Sequence, residues 1–193
     1  DWMPRVADSQ LIFLSNRQGE QQIWHKPFGQ SEQLLATLPP PAEFVRLALS
    51  ADGKALVFSH LGAIYHLDVR SRQMRQILDA SAQAAVVNFA LDPRDTEGST
   101  EAGMIVASPT ADAPKVVPSL IYSSTRSGDY QLWMLNLHTG HSTQLTQHGG
   151  YSGYLWQGEL WYSKYHQDGL YRQNRNGEEQ LMLKDFDKIN WLN

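Results

Sequence analysis

Leu120-Ile-Tyr-Ser-Ser-Thr-Arg-Ser-Gly-Asp-Tyr-Gln-Leu-Trp133 is a hydrophobic strand, a polar turn closed by glycine, and a second strand that reaches a tryptophan. The same phrase occurs three more times. It runs from Leu11 through Ser15-Asn-Arg-Gln-Gly19 to Trp24, from Leu56 through Ser59-His-Leu-Gly62 to Tyr65, and from Leu160 through Ser163-Lys-Tyr-His-Gln-Asp-Gly169 to Tyr171. Spacing is measured on the aromatic of the first strand in each copy. Phe13 to Phe58 is 45 residues and Tyr122 to Tyr162 is 40, while Phe58 to Tyr122 is 64, longer by one loop. A period of about 40 to 45 residues with four strands per unit predicts β-propeller blades.

Each unit divides into four strands. In the second, residues 44–50, 55–59, 63–69 and 73–78 are the expected strands, with Asp52-Gly53 as a hairpin turn. The turn before the fourth strand recurs around Gly29, Gly140 and Gly177. Fourth strands such as Arg75-Gln-Ile-Leu78 and Gln180-Leu-Met-Leu183 alternate polar and apolar residues, as a half-exposed outer strand should. The predicted fold is therefore all-β: a propeller segment of four four-stranded antiparallel blades plus the first strand of a fifth. Blade limits fall near residues 2–38, 43–79, 84–147 and 151–184, with the start of the next blade at 188–193. Residues 94–118, rich in Asp, Glu, Ser, Thr, Ala and Pro, form a long loop insertion in the third blade. Because each blade hides its faces only against its neighbours, the segment either closes a small ring, with the last strand completing the first blade, or belongs to a larger ring of about six to eight blades, the second being favoured. Its open blade edges, residues 189–192 above all, invite self-association.

Composition narrows the function. The chain has 193 residues, a net charge of −4 and no cysteine. It lacks the basic footprint of a nucleic-acid binder, a polybasic membrane patch, a disulfide framework and a thiolate site. No apolar run is long enough for a membrane span.

The strand-pair phrase resembles the TolB-like propeller repeat, whose units read Ser-Pro-Asp-Gly-Lys, a hydrophobic strand, Ser-x-Arg-x-Gly, then Ile or Leu before Tyr or Trp. Ser50-Ala-Asp-Gly-Lys54 carries the first element with Ala51 in place of Pro, and Ser15–Gly19 and Ser124–Gly128 carry the second. The second blade drops it and the fourth blurs it. Proteins with this repeat include the periplasmic partner-binding component of the Tol system, the gating propeller of prolyl-oligopeptidase-type serine peptidases, and the extracytoplasmic input domain of membrane-anchored transcriptional regulators similar to CadC and ToxR. The resemblance implies a periplasmic or otherwise extracytoplasmic, non-enzymatic binding or sensor domain that is part of a longer membrane-anchored protein. The peptidase-gating propeller is the alternative.

Several residue groups invite a chemical role and are outweighed by a plainer one. Arg17 and Arg126 sit at equivalent repeat positions; they suit anion capture, but repetition favours a structural duty. His138, His141 and His148 cluster in sequence, yet the first two flank a hairpin turn, so no metal is expected. Gly149-Gly-Tyr-Ser-Gly-Tyr154 lacks the spacing of a nucleophile elbow and no helix follows, so Ser152 is not expected to be catalytic. Asp92, Asp95, Glu97 and Glu101 do not match a calcium loop. No cofactor is implied.

What differs between the copies is more informative. Loops joining second to third strands and loops joining successive blades open on one face of a propeller. Arg126, Tyr130, Tyr151, Tyr165 and His166 then share a rim, and large aromatics with Arg dominate interface energies. This rim is the expected binding surface for a protein or peptide partner.

Overall fold

The computed structural model describes residues 1–7, 9–41, 45–50, 52–90, 119–156 and 158–184. The strands form four separate four-stranded antiparallel sheets. The first holds β1 (Trp2–Ala7), β2 (Gln10–Ser15), β3 (Gln22–Pro27) and β4 (Gln33–Thr37). The second holds β5 (Leu47–Leu49), β6 (Ala55–His60), β7 (Ala63–Asp68) and β8 (Met74–Leu78). A 3-10 turn, Ala80–Ala82, leads into the third: β9 (Ala84–Ala90), β10 (Ser119–Ser124), β11 (Gln131–Asn136) and β12 (Ser142–Gln144). The fourth is β13 (Ser152–Trp156), β14 (Glu159–Lys164), β15 (Gln167–Gln173) and β16 (Glu179–Leu183). The first strands neighbour one another in succession, β1 by β5, β5 by β9 and β9 by β13. The fourth strands lie at the far edge of each sheet, and β16 is exposed throughout. This is propeller architecture. The loop expected at 94–118 and the fifth-blade strand expected at 188–193 lie outside the described residues.

Three apolar clusters hold the sheets together, each between consecutive sheets. Ile12, Leu14 and Ile23 meet Leu47, Leu56 and Phe58. Val57 and Ile64 meet Leu120, Tyr122 and Leu135. Ile121 and Leu132 meet Leu160 and Tyr162. Side chains alternate across a strand, so every sheet has two unlike faces. The recurring aromatic pairs are cross-strand partners: Phe13↔Trp24, Phe58↔Tyr65, Tyr122↔Trp133 and Tyr162↔Tyr171. In the second, third and fourth sheets the pair faces the preceding sheet, and in the second and third the aliphatic residues one position away face the following one. Gly153 marks how close the third and fourth sheets come: a Cβ built there lies 2.6 Å from Leu132 Cδ1.

The boundaries depart from the sequence expectation for local reasons. β7 stops at Asp68 because its carboxylate turns the chain, accepting from the Ser71 N–H at 2.6 Å. The following turn lacks the glycine found at Gly140 (φ 72°) and puts Arg72 at φ 59° instead. β12 ends before Thr146, whose side chain turns inward, 2% exposed, accepting from Leu132 N–H (2.9 Å) and donating to Gln131 Oε1 (2.8 Å). β9 starts at Ala84, whose N–H is captured by the Gly62 carbonyl at 2.9 Å.

Candidate functional site

Backbone bonds pin the two classes of loop together on one face. The Gly150 N–H donates to the Tyr130 carbonyl at 2.9 Å, joining the β12–β13 connection to the β10–β11 turn. Leu38 N–H does the same to the Gln21 carbonyl two repeats earlier, also at 2.9 Å. Gln131, 7% exposed, adds a side-chain tie: its Nε2 donates to the Gln147 carbonyl at 3.3 Å and its Oε1 accepts from Gly149 N–H at 3.1 Å. This glutamine recurs as Gln22, 3% exposed, ahead of Trp24. Its repetition was readable in the sequence, and its role as a loop tie was missed because a polar residue at a strand start resembles any other.

On this scaffold three tyrosines converge. The Tyr130 ring lies 5.1 Å from Tyr151 at 79° and 4.7 Å from Tyr165 at 56°. Tyr151 and Tyr165 are 5.0 Å apart. These are the edge-to-face and tilted geometries aromatic quadrupoles favour. His166, held at a left-handed φ of 52°, places its ring 4.0 Å from Tyr165. Tyr130 and Tyr151 are half-buried, more enclosed than free loop residues, while Tyr165 is 46% exposed. Burial first, and then the neighbouring Tyr151 and Tyr165 hydroxyls, raise the Tyr130 pKa, so its hydroxyl remains a donor.

Arg126 is placed differently from the other four expected site residues. Its Cζ stands 3.5 Å from the centre of the Trp133 ring and 5.6 Å from that of Tyr122. Arg17 repeats this over Trp24 at 4.8 Å and Phe13 at 5.3 Å, bonded to Ser15 Oγ at 3.0 Å. In the fourth sheet Lys164, 8% exposed, reaches over Tyr171 with its Nζ 4.3 Å from the ring centre. A cation thus covers the aromatic pair in three of the four sheets, and in the second His60 lies 6.4 Å from Tyr65. Repetition predicts a structural duty for these arginines, and the geometry makes that duty a cation on a ring. The cation beside the tyrosine trio is Arg46, 6.0 Å from the Tyr151 ring centre. Nothing in the repeat singles it out, because it precedes a strand of only three residues.

Two concavities adjoin these elements. One, of about 500 Å³, is bordered by Arg46, Ser59, Leu61, Gln83, Tyr130 and Tyr151. The other, about 460 Å³, is lined by Tyr154, Trp156, Trp161 and Leu170 on the fourth sheet's face away from the third. Beside the third sheet, Glu179 accepts from Lys164 Nζ at 2.7 Å and from the Tyr162 hydroxyl. Burial raises the Glu179 pKa, but these bonds and the charges of Lys164 and His148 outweigh it, and the carboxyl stays below its ordinary range. Burial and this same carboxylate push the Tyr162 pKa up. His138 and His141 are exposed in their turn, and among the described residues no three His, Cys, Asp or Glu are grouped as a metal would require. Ser152 begins a strand, paired with Ser163, and not a strand-to-helix elbow. Asp92, Asp95, Glu97 and Glu101 lie outside the described residues. Among those described, no helix is long and apolar enough to cross a membrane.

The architecture matches solved β-propellers, and among those similar in fold are a TolB and a putative TolB. TolB from Acinetobacter baumannii superposes with a TM-score of 0.61 at 16% identity, over 95% of this chain and 43% of that one. A putative TolB from Agrobacterium tumefaciens gives 0.61 at 12% identity, over 91% and 61%. An oligogalacturonate lyase in complex with manganese gives 0.58 at 13% identity, over 91% and 50%. The chain therefore spans about half the length of these propellers. No protein-family model matches it, and no curated protein matches its sequence.

Proposed function

We propose that this propeller segment acts by binding and not by catalysis, and that its rim at Tyr130, Tyr151, Tyr165 and His166, with Arg126 on the same turn as Tyr130, engages a protein or peptide. The observation that carries this reading is the convergence of three tyrosines from two turns and one inter-sheet connection, all of them residues that break the repeat. Rigid aromatics offer large contact area at small entropic cost. The TolB likeness is compatible with protein interaction outside the cytoplasm. We place the chain in that setting as the periplasmic signal-input domain of a membrane-anchored transcriptional regulator, or as a TolB-like interaction domain.

The test is a selection from a random peptide library on the 193-residue chain, counter-screened on the Tyr130→Ala/Tyr151→Ala variant. Peptides that bind the parent and lose the variant, while circular dichroism of the variant stays unchanged, support the rim. Binders indifferent to both tyrosines refute it. In the full-length protein the same variant is expected to weaken signalling.

A further inference from the structure

The tyrosine rim borders the 500 Å³ cleft, and the chemistry of its walls narrows the partner. The floor is the start of β9, where three polar groups are already engaged within the protein. Ala85 carbonyl accepts the Ser59 hydroxyl at 2.5 Å, and Val86 N–H donates to Ser123 Oγ at 3.1 Å. Ala84 N–H is bonded to Gly62. Recognition therefore falls to the walls. One side carries Leu61, 44% exposed, and another the half-buried rings of Tyr130 and Tyr151. The charged element is Arg46, beside Tyr151. Behind it Arg5 is fixed by donation from its Nε to the Leu47 carbonyl at 2.7 Å. Burial and then the charge of Arg46 lower the Arg5 pKa, so the two guanidiniums repel each other across the first and second sheets.

We propose that this cleft binds an acidic peptide segment, with one carboxylate on Arg46 and an adjoining apolar side chain between Leu61 and the Tyr130–Tyr151 pair. The proposal rests on the rim reading and adds a charge and an orientation to it. A guanidinium fork matches a carboxylate in shape and charge. A small inorganic anion would leave the apolar wall unused. A polyanion such as nucleic acid is opposed by the net charge of −4.

The experiment titrates the whole chain with two capped synthetic peptides, Gly-Asp-Leu-Asp-Gly and its twin Gly-Asn-Leu-Asn-Gly, following tyrosine ring resonances by NMR. The acidic peptide is expected to bind about tenfold more tightly, the effect of one charge-assisted hydrogen bond. Arg46→Gln is expected to erase that preference and Arg46→Lys to retain part of it, which separates loss of charge from loss of fold. Equal binding of the twins, binding of neither, or a preference that survives Arg46→Gln overturns the proposal. Its failure is distinct from failure of the rim: library peptides that need Tyr130 and Tyr151 but carry no acidic residue would refute the charge and leave the rim standing.

Discussion

Arg126 lies face-on to Trp133, its Cζ 3.5 Å from the ring centre, and the same pairing recurs two repeats away between Arg17 and Trp24 at 4.8 Å. The two arginines share a motif because they share this task. A cation over the ring screens the aromatic pair where the sheet meets the turn. At exposed sites such a contact is worth about 0.5–1 kcal/mol. Arg126→Ala is expected to lower stability by that amount in urea denaturation, and Arg126→Lys by less. If Arg126→Ala leaves stability unchanged but abolishes peptide binding, the side chain belongs to the partner surface and not to the blade.

The tyrosine trio has its own energetic signature. Tyr130 and Tyr165 are 4.7 Å apart, and aromatic pairs of this kind contribute about 0.5–1.5 kcal/mol beyond their burial. A double-mutant cycle with Tyr130→Ala and Tyr165→Ala is expected to return a coupling in that range. Additive losses would mean that the rings do not support each other in solution.

Gly153 is a packing glycine. Since its absent Cβ would lie 2.6 Å from Leu132 Cδ1 and 3.2 Å from Tyr162 Cβ, Gly153→Ala overpacks the third interface and is expected to cost about 1–3 kcal/mol. Combining it with Leu132→Val should recover part of the loss, as read from denaturation midpoints. Full additivity of the two would show that they do not share the space.

The Glu179 carboxyl has a lowered pKa in the folded state, held down by Lys164 and Tyr162 against the opposing effect of burial. Its contribution is therefore complete above the unfolded carboxylate value of about 4.3 and disappears as pH falls through the lower folded value. The difference in Tm between the parent and Glu179→Gln is expected to be largest near neutral pH and to shrink below that value. A difference independent of pH would mean that Glu179 acts only through its shape.

Tyr154 and Trp156 are 49% and 47% exposed on the fourth sheet's outward face. Exposed aromatic area of this kind favours association. Sedimentation velocity is expected to show concentration-dependent self-association that Tyr154→Ser/Trp156→Ser reduces. A strictly monomeric parent at high concentration would refute this.

The four-sheet plan was legible in the sequence because repetition exposes it: Phe13, Phe58, Tyr122 and Tyr162 mark each second strand, and each pairs with the aromatic that ends its phrase. The grouping of Tyr130, Tyr151 and Tyr165 was legible from topology, since the loop classes that carry them must share a face. Arg46 was not, because it belongs to no motif and reaches Tyr151 across 105 positions of chain. Nor was the placement of Lys164 as a ring cover. Its position is held by Ser15, His60 and Ser124 in the other copies, so only geometry reveals that a longer cation does alone what Ser and Arg do together elsewhere.

The two unlike faces of each sheet make every junction a plug and socket. The plug is the aromatic pair and the socket is the aliphatic wall of Ile12 and Ile23, Val57 and Ile64, or Ile121 and Leu132. Such junctions are heterologous and run in one direction along the chain, so tandem duplication of a unit creates a seam that already fits. On the fourth sheet the socket is recut. Trp161 and Leu170 hold the wall positions, with Tyr154 and Trp156 beside them. An indole where the other sheets carry an aliphatic side chain gives this face a different contour, so the fourth sheet's outward wall is not a copy of the other three sockets.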